Sequence, residues 1–168
     1  MLRFTQVIAT SEEAMHPVAN NGVLTLRFED RRRSRMRARL DDGREAALLL
    51  PHGTILRDGD RLHAPDGGEM AVVRAAAQSL SIVRCDDPLL LARAAYHLGN
   101  RHIPVQLGVG WLAYEHDHVL DGMVAEMGLS VETGVAPFEP EAGGYGRTSA
   151  GEAASHGHGH GHAHHHDH

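Results

Sequence analysis

Histidine dominates the chemistry this chain can offer. Its imidazole is a common ligand for divalent metals and exchanges protons near neutral pH. Fifteen of the 168 residues are histidine, and they are unevenly spread. Eight of them (His156, His158, His160, His162, His164, His165, His166 and His168) crowd into the last thirteen positions. Gly-His alternation in that tract offers many overlapping coordination choices and enforces none, which suits fast loading and exchange over storage in a rigid cage. Four others, His97, His102, His116 and His118, lie close together in the second half. Cys85 is the only cysteine, so a thiolate cluster and an internal disulfide framework are both excluded. Donors rich in imidazole and poor in thiolate suit Ni(II), Cu(II) and Zn(II), and affinity order alone does not separate them. Ligand imidazoles must be neutral, so binding is expected to weaken as pH falls through about 6.5.

The elements that must position His97 to His118 follow from the spacing. Ser79 to Arg84 reads as a short strand. Asp87-Pro88 supplies an N-cap and a proline at the first helical position, and Leu89, Leu90, Ala94, His97 and Leu98 keep helical spacing until Gly99-Asn100. Ile103 to Leu107 and Trp111 to Glu115 form a hairpin about Gly108-Val109-Gly110. Asp117 caps a second helix that Gly128 ends, and Leu129 to Val135 closes the set. This βαββαβ order is the ferredoxin-like arrangement. A turn centred on Val109 pairs His102 with His116, and directly opposed residues hold their Cβ atoms about 4.5–5.5 Å apart, close enough to share a metal. His118, two residues on, returns to the same side if the strand continues. His97 matches the apolar face and reads as a structural histidine. Asp117 reads as a cap, and His16, His52 and His63 beside turn signals read as surface residues. Cys85 reads as a small buried residue at a strand end.

The first half has a different grammar. Leu24, Leu26 and Phe28 alternate, and Asp41-Asp42-Gly43, Asp58-Gly59-Asp60 and Asp66-Gly67-Gly68 mark turns between short strands. All sixteen basic residues are arginine, eight of them between Arg27 and Arg44. From Ser34 to Leu40, Arg35, Arg37 and Arg39 alternate with Met36, Ala38 and Leu40, which describes a strand with one wet face. The expected fold class is thus α+β: a small all-β domain over residues 1–75, a ferredoxin-like domain over 76–140 and a disordered histidine-rich tail over 141–168. Hydrophobic residues at 42% and charged residues at 23% are globular values, and the scarcity of aromatics, 4%, calls for an aliphatic core. A formal net charge of -6 argues against nucleic acid and an anionic membrane surface as partners. No apolar run approaches the roughly 20 residues of a membrane span, and Met1 to Thr10 has no export signal, so the cytoplasm is the expected location.

Three strings carry a resemblance to a known family. Tyr96-His97-Leu98-Gly99-Asn100-Arg101-His102, Asp117-His118-Val119-Leu120 and Pro137-Phe138-Glu139-Pro140-Glu141 resemble the UreE family of urease accessory proteins. Ser34-Arg35-Met36-Arg37 and Leu56-Arg57-Asp58-Gly59-Asp60 are similar to that family too, as is a histidine-rich C-terminus. The resemblance implies a nickel metallochaperone that delivers Ni(II) during urease maturation. It implies an N-terminal domain that binds protein partners and a second domain that binds metal and forms a homodimer. His102 would bind metal at the dimer interface with both subunits contributing, and His116 and His118 would form a further site. The implied partners are the urease accessory GTPase and the urease activation complex.

Two other functions compete on the residues alone. One is a storage or detoxification protein whose tail is the whole function. The other is a zinc-dependent hydrolase built on His102, His116, His118 and Glu115 or Asp117. A non-enzymatic carrier is the favoured reading, because no nucleophile elbow or phosphate loop is present.

Overall fold

The computed structural model describes residues 1–9, 22–65 and 70–142. The expected histidine tail, His16 and the Asp66-Gly67-Gly68 turn lie outside the described residues.

The first half contains strands β1 (Leu2–Phe4), β2 (Gln6–Ile8), β3 (Gly22–Leu26), β4 (Arg35–Arg39), β5 (Glu45–Leu49), β6 (Arg61–His63) and β7 (Met70–Ala75), with one helical turn, α1 (Phe28–Arg31), between β3 and β4. They form two sheets, ordered β1-β5-β4 and β2-β6-β7-β3. β1 joins β5 and β3 joins β7 in parallel, and the remaining pairs are antiparallel. Alternation drives this packing. In β3, Leu24 and Leu26 are buried while Val23 and Thr25 are exposed, and β4 turns Arg35, Arg37 and Arg39 to solvent as the spacing implies. The two sheets share one aliphatic core around Phe4, Leu24, Leu48, Leu56 and Leu62.

Phe28 departs from the expected alternation. It begins α1 instead of extending β3, because its ring is needed elsewhere. It meets Phe138 edge to face with centroids 5.6 Å apart, and Leu80 and Ala113 complete that small cluster between the halves. The β-rich half is therefore interrupted by one helical turn, and that turn faces its neighbour.

The second half follows the βαββαβ order: β8 (Ala77–Arg84), α2 (Pro88–Gly99), β9 (Val105–Gly108), β10 (Trp111–Glu115), α3 (His118–Glu126) and β11 (Val131–Pro137). Its antiparallel sheet is ordered β11-β8-β10-β9, the ferredoxin-like order. One sheet face and the two helices enclose Val83, Leu98, Leu112, Tyr114 and Val124. At the β9–β10 turn, Gly110 takes a φ of 77°. The Trp111 ring lies so close to Gly108 that a Cβ there would sit 2.1 Å from it. The last strand begins at Val131, not Leu129, and runs to Pro137, because its register against β8 continues to Ala77.

A polar clasp joins the halves. Arg31, 0% exposed, donates to the carbonyls of Leu56 and Phe138 and to the Glu139 carboxylate. Burial, against the pull of Glu139, holds the Arg31 pKa below its usual value. Arg57 donates to Glu139 at 3.3 Å and to the Pro140 carbonyl at 2.6 Å. The Asp58 N–H reaches Glu139 at 3.2 Å, and the Glu139 N–H reaches Gln106 at 3.0 Å. The Pro137-to-Glu141 string is the strap that carries this clasp.

Candidate metal-binding histidines

His102 owes its place to the way α2 ends. The helix opens on Asp87, whose carboxylate accepts the N–H groups of Leu89 at 2.9 Å and Leu90 at 3.3 Å. Its regular part stops at Gly99, but neither Gly99 nor Asn100 is the terminating left-handed residue. The His102 N–H bonds to the Gly99 carbonyl at 2.8 Å and the Ile103 N–H to that of Leu98 at 3.2 Å. These two bonds define a Schellman termination, and its left-handed position, which glycine usually fills, holds His102 at φ 58°. No other non-glycine residue has a positive φ among the described residues. An L side chain there costs roughly 1–2 kcal/mol. Ile103 packs onto the cluster holding Leu98, the apolar contact such terminations use. His102 itself is exposed. It lines a cavity of about 440 Å³ with Gly99 and Ile103 on its own side and Phe28, Arg32 and Ile55 across from them.

The expected His102–His116 pairing does not form. In the hairpin Trp111 faces Gly108 and Tyr114 faces Val105, one residue away from a register centred on Val109. β9 starts only at Val105, so His102 belongs to the helix termination and not to a strand. That pairing needs a three-residue turn and an extended Ile103, whereas Gly110 allows a two-residue turn and the Schellman bond claims Ile103.

His116 stands at the end of β10, its N–H bonded to the Ser79 carbonyl at 3.1 Å. Its imidazole is 38% exposed, and Nδ1 is turned inward. That nitrogen lies 3.1 Å from Asp121 Oδ2 and 3.0 Å from Ser81 Oγ. The Tyr114 hydroxyl donates to Asp121 Oδ1 at 2.8 Å. Ser81 and Tyr114 are fully buried. Burial first, then the bond to Asp121, pushes the Tyr114 pKa up, so the phenol stays a donor. His118 is the first residue of α3 and is exposed. Between the two histidines, Asp117 accepts the N–H groups of Val119 at 2.8 Å and Leu120 at 3.1 Å. Those two backbone bonds hold its carboxyl below the usual carboxylate value, so the cap reading stands.

Among the described residues no three histidine, cysteine or acidic side chains converge on one point where a metal could sit. His97 is half-buried with its ring edge to face with Tyr96, which fits a packing role. His52 is exposed as expected, whereas His63 is half-buried with an inward Nε2. Cys85 is half-buried just beyond β8, and its sulfur accepts the Asp87 N–H at 3.4 Å. Neither Ser81 nor Asp121 carries a signal in the sequence that ties it to His116. Tyr114 and His116 do share a side of β10 by period two, but Ser81 reaches them only through sheet pairing.

The architecture defines a class: a β-rich module clasped to a ferredoxin-like module that presents imidazoles to solvent. Comparison with known proteins narrows it. Profiles of the UreE urease accessory protein match the chain over residues 4–76, as the N-terminal domain, and 78–168, as the C-terminal domain. The chain is 51% identical over 156 residues to the urease accessory protein UreE of Citrobacter koseri, covering 93% of this chain and 99% of that one. It is 53% identical over 140 residues to that of Pseudomonas putida strain GB-1, covering 83% and 81%, and 47% identical over 158 residues to that of Vibrio parahaemolyticus, covering 94% and 98%. The chain belongs to the UreE family. These are accessory chaperones of urease maturation and not enzymes, and their role is nickel delivery. No helix among the described residues is long and apolar enough to cross a membrane.

Proposed function

We propose that this chain carries Ni(II) in the cytoplasm as a homodimer and releases it to the urease accessory GTPase and the urease activation complex. Residues 1–75 form the partner-binding domain, 76–140 the metal-binding and dimerising domain, and 141–168 the loading tail. His102 of each copy grips one ion across the dimer axis. His116 and His118 hold a further site, and His156, His158, His160, His162, His164, His165, His166 and His168 feed both. Cu(II) and Zn(II) compete for the same imidazoles.

The observation that carries this reading is an exposed imidazole at a left-handed position where glycine would be better for stability. Backbone strain of this kind accompanies function. Exposed Leu89 and Tyr96, 68% and 66% accessible on the same helix, supply apolar surface for a second copy.

Calorimetric titration of Ni(II) into wild type, His102→Ala and a truncation after Ala154 tests the reading. The truncation loses several weak equivalents and keeps one tight site per dimer, while His102→Ala loses the tight site. Complete loss of binding on truncation would instead favour storage by the tail and end the claim for His102.

A further inference from the structure

Beneath His116 lies a polar network that reaches its ring nitrogen. Two fully buried side chains, Ser81 and Tyr114, and the Asp121 carboxylate, 19% exposed, converge under one half-exposed ring. They come from three elements, β8, β10 and α3. An ionised carboxylate only accepts hydrogen bonds, and Asp121 Oδ2 lies 3.1 Å from His116 Nδ1. A carboxylate this close repels a bare Nδ1 lone pair and so favours the proton on Nδ1, with the Ser81 hydroxyl at 3.0 Å turned to accept, which leaves the Nε2 lone pair without a proton. The other Asp121 oxygen is held by the Tyr114 hydroxyl at 2.8 Å, which fixes the carboxylate in turn. Carboxylate, imidazole and open nitrogen in this order form the outer half of a carboxylate–histidine–metal arrangement.

We propose that Asp121, braced by Tyr114, is a positioning residue that locks His116 in the Nδ1–H tautomer and so presents Nε2 as a ready donor for a divalent cation. The proposal rests on the reading of His116 as a nickel ligand. It adds that this donor is prepared before metal arrives, whereas His118 has no such support among the described residues. A free imidazole divides itself between two tautomers and many orientations. Fixing both raises ligand basicity and removes an ordering cost from binding. Outer partners of this kind change affinity by about 10–100-fold.

The test uses the full-length chain with ¹⁵N-labelled histidine at pH 8, and His116→Ala assigns the His116 ring signals. Long-range ¹H–¹⁵N spectra of wild type are expected to show the Nδ1–H tautomer at His116. A protonated Nε2 there overturns the proposal without any variant. Buffered Ni(II) is then added and paramagnetic loss of the His116 signal is followed. In Asp121→Asn the amide N–H can donate to Nδ1 and move the ring proton to Nε2, so half-loading should need about 10–100-fold more free Ni(II). Tyr114→Phe, which keeps the carboxylate, should give a smaller shift in the same direction.

A network that only fastens α3 to the sheet predicts something else. Asp121→Asn would then lower the melting temperature and leave both tautomer and half-loading unchanged, which overturns the proposal. Failure of the underlying reading looks different again: the wild-type His116 signal would survive saturating Ni(II) whatever stands at position 121.

Discussion

The clasp around Glu139 and the imidazoles of the ferredoxin-like half use ionisable side chains in opposite ways. In the clasp every charge faces a partner. Arg31 is fully buried among two carbonyls and a carboxylate, and Arg57 and the Asp58 N–H close on the same acid. Around the metal-binding candidates the outward nitrogens meet no partner among the described residues. His102 and His118 are exposed, and His116 is satisfied on one nitrogen only. A buried charge without partners is costly, so the clasp must pair its charges to exist at all, although Arg31 Nε is buried without a hydrogen bond. A donor meant for a transient cation must remain incomplete, because each hydrogen bond on the ligating nitrogen competes with the ion. One region is stabilised by satisfaction, and the other functions through its lack.

The contrast can be broken most forcefully at Arg31. Arg31→Leu leaves the buried Leu56 and Phe138 carbonyls without their donor and Glu139 with only Arg57 and the Asp58 N–H, and a buried polar group left unsatisfied costs about 1–3 kcal/mol. Urea denaturation should show that loss, with the second half keeping its helical circular dichroism. A change below about 1 kcal/mol would mean that the clasp is ornamental.

A smaller effect of opposite sign is expected at His102. His102→Gly relieves the left-handed strain at φ 58° and should gain about 0.5–1 kcal/mol after the extra entropy of the unfolded glycine is counted. The same variant should lose the tight Ni(II) site. A variant that is both more stable and unable to bind sharpens the contrast, whereas a glycine variant no more stable than wild type would remove the argument from strain.

The smallest effect belongs to Asp117, which stands between the two open imidazoles but serves the backbone. Its carboxyl is held below the ordinary value of 3.8 by the Leu120 and Val119 N–H groups. The sign follows: a depressed folded pKa contributes stability in full above the unfolded value and loses it as pH falls through the folded one. Asp117→Ala should therefore lower the melting temperature slightly at pH 7 and converge with wild type in strong acid. A difference that persisted there would show that the cap is not the cause.

Local chemistry made much of the molecule legible from residues alone. Alternation announced β4 and its wet arginine face, Asp87-Pro88 announced the start of α2, and Asp117 announced α3, since caps and period-two faces act within a few residues. The ferredoxin-like strand order followed from the element order for the same reason. Donor identity was legible too, because imidazole chemistry does not depend on fold. What stayed hidden required partners far apart in the chain. Nothing near Phe28 says that it must leave its strand to meet Phe138, and nothing near Glu139 says that Arg31 and Arg57 will close on it.

The histidines divide along the same line. Their types and spacing marked His102, His116 and His118 as donors, but only the tertiary structure decided how each is held. A one-residue difference in the β9–β10 register separated His102 from the hairpin, and the end of α2 placed it in a left-handed turn. Packing of β8, β10 and α3 brought Ser81, Tyr114 and Asp121 under His116. Sequence determines which groups can bind a cation. Which nitrogen is free to do so depends on hydrogen bonds between residues 7 and 35 positions apart, and those distances close only on folding.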